Sequence, residues 1–120
     1  MSTLTKVLEK NVAEIEKDAD MTEGRFRLGH HLMPPVGWLN DPNGLCWYKG
    51  RYHVFFQYAP FDVEGGLKFW GHYTSEDMVD WKYEGTALYP DSPYDCHGVY
   101  SGSAFTEHGK MHLFFTGNVK

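Results

Sequence analysis

Residues 38–44, Trp-Leu-Asn-Asp-Pro-Asn-Gly, place one carboxylate, Asp41, among two amide side chains and an indole. Pro42 disfavours helical backbone at the residue before it, which predicts β or polyproline geometry for Asp41. A carboxylate held at the edge of a strand, with hydrogen-bonding and flat apolar groups around it, suits sugar chemistry. Asp41 would attack or stabilise an anomeric carbon, while the amides hold hydroxyl groups and the Trp38 indole covers a ring face.

The same heptapeptide can also be interpreted as a turn with a purely structural role. Asn, Asp, Pro and Gly are turn residues, and Asn43-Gly44 alone favours a hairpin or a tight turn. A calcium-binding loop is excluded, because an EF-hand counted from Asp41 needs Gly at its sixth position and Glu at its twelfth. This chain has Cys46 and Tyr52 at those positions.

Composition limits the class of protein. The chain has 120 residues, enough for one domain of ordinary size, and 17% of them are aromatic. Thirteen Gly and six Pro beside those aromatic residues indicate strands and turns, and hence an all-β fold. The net charge is −5 without a Lys/Arg cluster, which argues against nucleic acid or an anionic membrane as a partner.

Sequence features favour a cytoplasmic protein without a metal or a cofactor. No apolar run approaches the roughly 20 residues that span a bilayer, and the N-terminus lacks the basic start and apolar stretch of an export signal. Cys46 and Cys96 are expected as free thiols, with a disulfide as the open alternative. The seven His residues include His53 and His112 at repeated strand positions, and none has partners at the spacing of a closed metal site.

One helix is predicted, over residues 3–18, because five apolar residues recur at helical spacing while Glu and Lys occupy the other face. The apolar positions are Leu4, Val7, Leu8, Val12 and Ile15. Thr3 or Thr5 is expected to cap the N-terminus of this helix, and the helix is expected to cover the edge of a sheet. Residues 1–24 are therefore predicted as a short amphipathic helix with a linker.

From residue 25 onward the pattern is typical of strands and turns. Residues 45–48 and 52–58 predict a hairpin around Lys49-Gly50. Further strands are predicted at residues 68–74 and from about residue 81 to residue 88, before a break that contains two prolines.

An internal repeat links the two ends of this region. Residues 50–56, Gly-Arg-Tyr-His-Val-Phe-Phe, align with residues 109–115, Gly-Lys-Met-His-Leu-Phe-Phe, at an offset of 59 residues. About four strands per repeat is typical of propeller blades. Residues 25–120 are therefore predicted to hold the first blade and the start of the second, about one and a half blades.

The repeat predicts where Asp41 lies in the propeller and how much of the propeller this chain contains. Asp41 lies just before the first predicted strand, so it would open onto the axial cavity of the propeller. The same register aligns Asp41 with Tyr100, which places Tyr100 and Ser101 beside it on the neighbouring blade. One and a half blades would leave bare strand edges, so the chain is expected to be part of a longer propeller.

Several ordered motifs resemble those of glycoside hydrolase family 32, which includes invertases, sucrose-6-phosphate hydrolases, inulinases and levanases. Residues 38–44 resemble the opening motif of the family, and residues 100–103, Tyr-Ser-Gly-Ser, resemble its Phe-Ser-Gly-Ser stretch. Between them come Gln57 at the end of a strand, then Phe69-Trp70-Gly71-His72, Ser75, Asp77 and Trp81. The resemblance extends from about His30 to Lys120.

The resemblance implies a five-bladed β-propeller followed by a β-sandwich, and a retaining mechanism with two carboxyl groups. It makes Asp41 the nucleophile that forms a covalent fructosyl intermediate. The substrate-binding residues that it implies are Asn40, Gln57 and Ser101 as hydrogen-bonding partners of the fructose, Trp38 and Tyr100 as pocket walls, and Leu39 within the same motif. Trp70 is expected in the core rather than in the pocket.

The chain departs from the family pattern in ways that affect catalysis. The Arg-Asp-Pro motif of the family and the Glu-Cys motif that supplies the acid/base are absent. The candidate residues Glu64, Glu76, Glu84 and Glu107 are expected in loops that match neither motif. Gly65 replaces a pocket Trp that many members carry. The chain on its own is expected to lack turnover, because its nucleophile has no proton donor.

Together these features favour the N-terminal part of an intracellular β-fructofuranosidase, most like bacterial sucrose-6-phosphate hydrolases. The expected substrate is sucrose, sucrose 6-phosphate or a fructan, and no cofactor is implied. The alternatives are a carbohydrate-binding propeller that has lost catalysis and a stand-alone interaction module. No basic cluster in the sequence marks a phosphate site.

Overall fold

The computed structural model describes residues 1–20, 24 and 27–120, and within them the chain is mostly β structure with one helix. The elements are α1 (Thr3–Asp20), β1 (Trp38–Tyr48), β2 (Arg51–Ala59), β3 (Phe69–Ser75), β4 (Lys82–Leu88), β5 (Val99–Glu107) and β6 (Lys110–Gly117). The strands form two antiparallel sheets, one in the order β1-β2-β3-β4 and one of β5 and β6. The predicted domain boundary after residue 24 falls at residues 25 and 26, outside the described residues.

The helix α1 begins behind a serine cap. The backbone N–H of Thr5 donates to Ser2 Oγ at 3.0 Å, which satisfies one of the amides that the first helical turn leaves free. Ser2 is therefore the cap, and the expectation of Thr3 or Thr5 is wrong because both already lie within the helix. Thr5 instead donates its hydroxyl to Asp91 Oδ2 at 2.5 Å, which ties the start of the helix to the loop after β4.

The helix lies across a face of the four-stranded sheet, not along its edge as predicted. Val12 is buried in one cluster with Phe56 and Tyr58 of β2 and with Phe69 and Tyr73 of β3. Phe56 and Tyr58 are alternate residues of one strand, so they present the same face to the helix. The apolar stripe of α1 therefore completes a core on this side of the sheet.

Polar contacts fix the rotation of α1 about its axis. Glu16 Oε1 accepts the hydroxyl of Tyr58 at 3.0 Å and that of Tyr83 at 2.8 Å. Leu4 and Val7, which were predicted on the packing face, are 48% and 50% exposed. Because two tyrosine hydroxyls on the sheet need an acceptor, the inward side of the helix includes Glu16 and leaves these two apolar residues at the surface.

The predicted strands are present, but β1 is longer than expected. It begins at Trp38 and so contains the whole heptapeptide of residues 38–44. The sequence had predicted that this heptapeptide precedes the strand. Pairing with β2 holds it there, since Trp38 pairs with Ala59 at one end and Tyr48 with Arg51 at the other. Asp41 consequently lies within the first strand, not before it.

Two bulges let β1 accommodate these residues. Register shifts against β2 fall between Asn40 and Pro42 and between Asn43 and Cys46. Asp41 occupies the first bulge with φ of 33°, in the left-handed region, so the predicted β or polyproline geometry is wrong. The bulge overrides the influence of the following proline, and aspartate is one of the residues that tolerate this region.

The hairpin β5–β6 repeats the hairpin β1–β2, with a difference in the number of bulges. β5 has a single bulge against β6, between Tyr100 and Gly102, whereas β1 has two against β2. The offset of 59 residues therefore holds at the hairpin turns but becomes 60 at the first bulge. Ser101, and not Tyr100 as predicted, is the structural counterpart of Asp41.

The two sheets pack against each other through a buried cluster. Phe55 of β2, Trp70 of β3 and Val99 of β5 are each exposed by 2% or less. Trp70 Nε1 also donates to the carbonyl oxygen of Tyr100 at 3.1 Å. Trp70 is thus a core residue, as predicted, and its indole fixes the backbone that leads into Ser101.

A pair of histidines lies at the hairpin end of the same sheet face. His53 Nε2 is 3.1 Å from the carbonyl oxygen of Tyr48, so in the neutral ring that nitrogen carries the hydrogen. His53 Nδ1 then accepts from His72 Nε2 at 2.9 Å, and the His72 ring stacks on Phe55 with centroids 4.3 Å apart. Burial, together with the charge of His53, lowers the pKa of His72 to about 4.

This pair predicts an acid-sensitive fold. The pKa of folded His72 is about 4 against 6.5 for an ordinary histidine, so the unfolded chain binds more protons between these values. The stability contribution is complete above pH 6.5 and is lost as the pH falls towards 4, by on the order of 2 kcal/mol for this partly buried ring. Urea unfolding of the protein across this range measures the loss. His72→Phe, which keeps a ring on Phe55, should remove this part of the pH dependence, and an unchanged slope would contradict the assignment.

Two further features concern the chemical environment of the chain. Within the part that the structure describes, no helix combines the length and the apolar content needed to cross a membrane. Cys46 and Cys96 are free thiols, as predicted, and burial raises the pKa of the Cys46 thiol.

Candidate active site

Three predicted residues on three strands form one chain of hydrogen bonds. The Ser101 hydroxyl of β5 donates to Asp41 Oδ2 of β1 at 2.9 Å. Gln57 Nε2 of β2 donates to Ser101 Oγ at 3.0 Å. Gln57 is buried and pairs with Asn40 across the β1–β2 ladder, whereas Asp41 is exposed. A buried amide thus orients a hydroxyl, which in turn orients an accessible carboxylate.

The chemistry of the donor groups fixes the direction of these two hydrogen bonds. An amide NH₂ group can only donate, so Gln57 occupies a lone pair of Ser101 Oγ and leaves the hydroxyl hydrogen for Asp41. Among the described residues, Asp41 Oδ1 receives no hydrogen bond. The carboxylate is therefore held through one oxygen, while the other is available to react.

Asn43 is one of the two amides that were predicted to hold sugar hydroxyls, but its side chain bonds the backbone instead. Its side chain is buried, with Nδ2 donating to the carbonyl oxygen of Asp41 at 2.8 Å. Its Oδ1 accepts the backbone N–H of Gly102 at 3.1 Å. One amide therefore holds the backbone of both bulges, the one with Asp41 and the one with Ser101. The sequence pointed to this amide, but not to its role, because that role depends on bulges in two separate strands.

Asn40 and Trp38 lie near Asp41 on the same strand. Asn40 Oδ1 is buried and receives no hydrogen bond from the described residues. Trp38 is partly buried, and Lys68 Nζ lies 4.3 Å from the centroid of its ring. The strand that carries the carboxylate thus also carries an unsatisfied acceptor and an aromatic face.

Tyr100 and Leu39 differ in their relation to this group. Tyr100 directly precedes Ser101 and is partly buried beside the same sheet interface. Leu39 packs against the cluster on the helix side, and it pairs with Tyr58, which belongs to that cluster. The structure therefore brings Tyr100 to the site but directs Leu39 to the opposite face of the sheet, and a sugar-binding role for Leu39 stays a prediction.

The described residues place no second carboxylate in hydrogen-bonding contact with Asp41. Glu84 and Glu107 lie in β4 and β5, not in loops as predicted, because pairing with β3 extends past Glu84 and pairing with β6 includes Glu107. Glu76 forms an ion pair with Arg51 at 2.9 Å on the outer surface. This arrangement supplies one oriented carboxylate with hydrogen-bonding side chains beside it, whereas a retaining glycosidase uses two carboxyl groups. The described residues also contain no group of three or more His, Cys, Asp or Glu that could hold a metal.

Comparison with known proteins decides the family. The family model described as the N-terminal domain of glycosyl hydrolases family 32 matches residues 31–120. The chain belongs to glycosyl hydrolase family 32. One curated relative is the sucrose-6-phosphate hydrolase of Bacillus subtilis (strain 168), which is 52% identical over 108 residues, covering 89% of this chain and 22% of the relative.

Solved structures of family 32 enzymes have the same local fold. The sucrose-6-phosphate hydrolase of Lactobacillus gasseri matches with a TM-score of 0.79 and 41% identity, over 91% of this chain and 22% of that one. The GH32 beta-fructofuranosidase of Bombyx mori matches with a TM-score of 0.78 and 34% identity, over 90% of this chain and 23% of that one. Enzymes of this family have a β-propeller domain. The chain spans about a fifth of the length of these relatives.

Proposed function

We propose that the whole protein hydrolyses terminal β-fructofuranosides, such as sucrose or sucrose 6-phosphate, with retention of configuration at the anomeric carbon. The observation that carries this proposal is the Asp41 carboxylate, oriented by Ser101 and Gln57 across the contact between two sheets. Membership of family 32 and the similarity to sucrose-6-phosphate hydrolases support the substrate class.

In this mechanism Asp41 is the nucleophile. Its Oδ1 attacks the anomeric carbon as the bond to the leaving oxygen breaks, which gives a covalent fructosyl ester. A second carboxyl group, supplied by a part of the protein beyond this chain, donates a proton to the leaving oxygen. The same group then takes a proton from the water that hydrolyses the ester. The two carboxyl groups would lie about 5–5.5 Å apart, the separation typical of retaining enzymes.

The other residues of the site position the sugar. Asn40 Oδ1, which the described residues leave unsatisfied, accepts a hydrogen bond from a fructose hydroxyl. Trp38 and Tyr100 form walls of the pocket. Gln57 and Ser101 keep the carboxylate in register with the anomeric carbon through their shared hydrogen bonds.

The proposal extends to the architecture. The sheet β1–β4 forms the first blade of a five-bladed propeller, and β5 and β6 form the first hairpin of the second blade. The remaining blades, outside this chain, would close the ring and complete the pocket. A cytoplasmic location belongs to the same proposal and is supported by the two free thiols.

Time-resolved NMR of the whole protein with sucrose and with sucrose 6-phosphate tests this function. A retaining enzyme releases fructose first as the β-anomer, which then equilibrates with the other forms. First appearance of the inverted anomer would contradict the role of Asp41 as nucleophile. Binding of either sugar without hydrolysis would favour the alternative, a carbohydrate-binding propeller that has lost catalysis.

A further inference from the structure

The hydroxyl that orients the Asp41 carboxylate comes from a different sheet. Ser101 occupies the bulge of β5, where the register with β6 passes from Tyr100 directly to Gly102. Ser101 therefore has no paired residue in β6, and the ladder of its own hairpin does not fix it. The 2.9 Å hydrogen bond from Ser101 Oγ to Asp41 Oδ2 depends instead on how the first sheet holds this bulge.

Three neighbouring strands of the first sheet each hold one residue of the bulge. The bulge residues, in chain order, are Tyr100, Ser101 and Gly102. Trp70 Nε1 of β3 donates to the carbonyl oxygen of the first at 3.1 Å, and Gln57 Nε2 of β2 donates to the hydroxyl of the second at 3.0 Å. Asn43 Oδ1 of β1 accepts the backbone N–H of the third at 3.1 Å. Trp70, Gln57 and Asn43 thus form a three-point clamp on the bulge.

The side chains of the clamp are buried and tightly packed. Trp70 is 0% exposed, Asn43 4% and Gln57 5%. The Trp70 indole also spans the two sheets, since it contacts the rings of Phe55 in β2 and Phe115 in β6. A buried N–H or amide oxygen that lost its partner would stay desolvated without a hydrogen bond, so each contact of the clamp resists opening.

Asn43 connects the clamp to the backbone of the carboxylate. Its Nδ2 donates to the carbonyl oxygen of Asp41 at 2.8 Å, while its Oδ1 holds Gly102. One side chain therefore sets the position of the Asp41 bulge relative to the residue that follows Ser101. Trp70 fixes the residue that precedes Ser101, so the serine is held from both sides along its own strand.

We propose that Trp70 and Asn43 are positioning residues for hydrolysis, which hold the β5 bulge so that the Ser101 hydroxyl orients Asp41. Neither residue has to touch the sugar for this role. The inference rests on the proposed function, because the orientation of Asp41 affects turnover only if Asp41 is the nucleophile. It gives Trp70, a core residue by its burial, an effect on rate that is separate from its effect on stability.

The substitution Trp70→Phe in the whole protein tests this role, because it keeps an aromatic ring in the core and removes the indole N–H. We expect kcat, measured below the unfolding temperature on sucrose and on sucrose 6-phosphate, to fall about 10- to 100-fold, since small displacements of a reacting group have effects of this size. The matched control is Phe69→Leu, which shortens a fully buried ring on the opposite face of β3 and should lower stability but not kcat. Equal losses of kcat in the two variants would overturn the proposal.

A double-mutant cycle separates positioning from a general structural role. If Trp70 acts through Ser101, Trp70→Phe should lower kcat by less than about threefold in a Ser101→Ala protein, where the hydroxyl is already absent. The effect of Phe69→Leu should be the same in both backgrounds. Asn43→Ala repeats the cycle from β1 and keeps the test decisive if Trp70→Phe does not fold. Losses that multiply independently of Ser101 would contradict the positioning role.

Hydrogen exchange in the unsubstituted whole protein separates failure of this inference from failure of the proposed function. We expect the backbone N–H of Gly102 and the indole N–H of Trp70 to exchange at least about 100-fold more slowly than in an unfolded chain. Rapid exchange of either hydrogen would overturn the clamp, whatever the activity. Slow exchange in a protein that hydrolyses neither sugar would contradict the proposed function and still support the clamp on Ser101.

Discussion

Replacing Asp41 with Asn in the whole protein should abolish turnover while leaving the fold intact. The amide has nearly the same shape as the carboxylate, and its oxygen can still accept the Ser101 hydroxyl. The hydrogen bond that measures 2.9 Å with Asp41 can therefore still form. It cannot form the fructosyl ester, because the amide is not a nucleophile of comparable strength. Loss of a nucleophile that acts with its partners as a unit lowers kcat by about 10⁴-fold or more.

Steady-state hydrolysis and thermal unfolding together measure this effect. Asp18→Asn, an identical chemical change at an exposed position of α1, is the matched control and should retain full activity. Hydrolysis by the Asp41→Asn protein within about tenfold of the unsubstituted rate would refute the assignment. A large drop in unfolding temperature would instead assign Asp41 a structural role.

Replacing Gly102 with Ala should disrupt both stability and activity. A Cβ atom at this position would lie 1.8 Å from the carbonyl oxygen of Phe114, and that backbone belongs to the paired strand β6. Backbone atoms cannot rotate away, so β5 and β6 must separate at the bulge. We expect the free energy of unfolding to fall by about 3 kcal/mol or more.

The activity loss has a separate cause. The N–H of Gly102 donates to Asn43 Oδ1, and Ser101 next to it donates to Asp41. Moving this bulge by about 1 Å would misplace the carboxylate and lower kcat about 100-fold. The control is Gly29→Ala, since a Cβ there meets no atom within 4 Å. Equal stability and activity of the Gly102→Ala protein and the control would show that the bulge does not position the site.

The sequence predicted the elements of this fold well, because their signals are local. The helix, the hairpin around Lys49-Gly50 and the later strands all follow from periodicity and turn residues. The repeat at residues 109–115 correctly predicted a second hairpin. Trp70 was correctly expected in the core.

What the sequence could not predict depends on pairing between strands. A bulge changes the pairing register by one residue without any fixed sequence signal. Because β1 has a second bulge that β5 lacks, the residue of β5 that corresponds to Asp41 is Ser101 and not Tyr100. The left-handed backbone at Asp41 and the double hydrogen bonding of Asn43 follow from those bulges. Neither is visible in the propensities of single residues.

The central claim is that Asp41 bonds covalently to a fructosyl unit, and rapid-quench mass spectrometry tests it most directly. The whole protein would be mixed with sucrose or sucrose 6-phosphate, denatured in acid within the first turnover, and digested. We predict that the peptide containing residues 38–44 gains the mass of one fructosyl residue, with fragmentation locating it on Asp41. A fructosyl ester on a different carboxylate, or hydrolysis with inverted stereochemistry and no adduct, would contradict the claim.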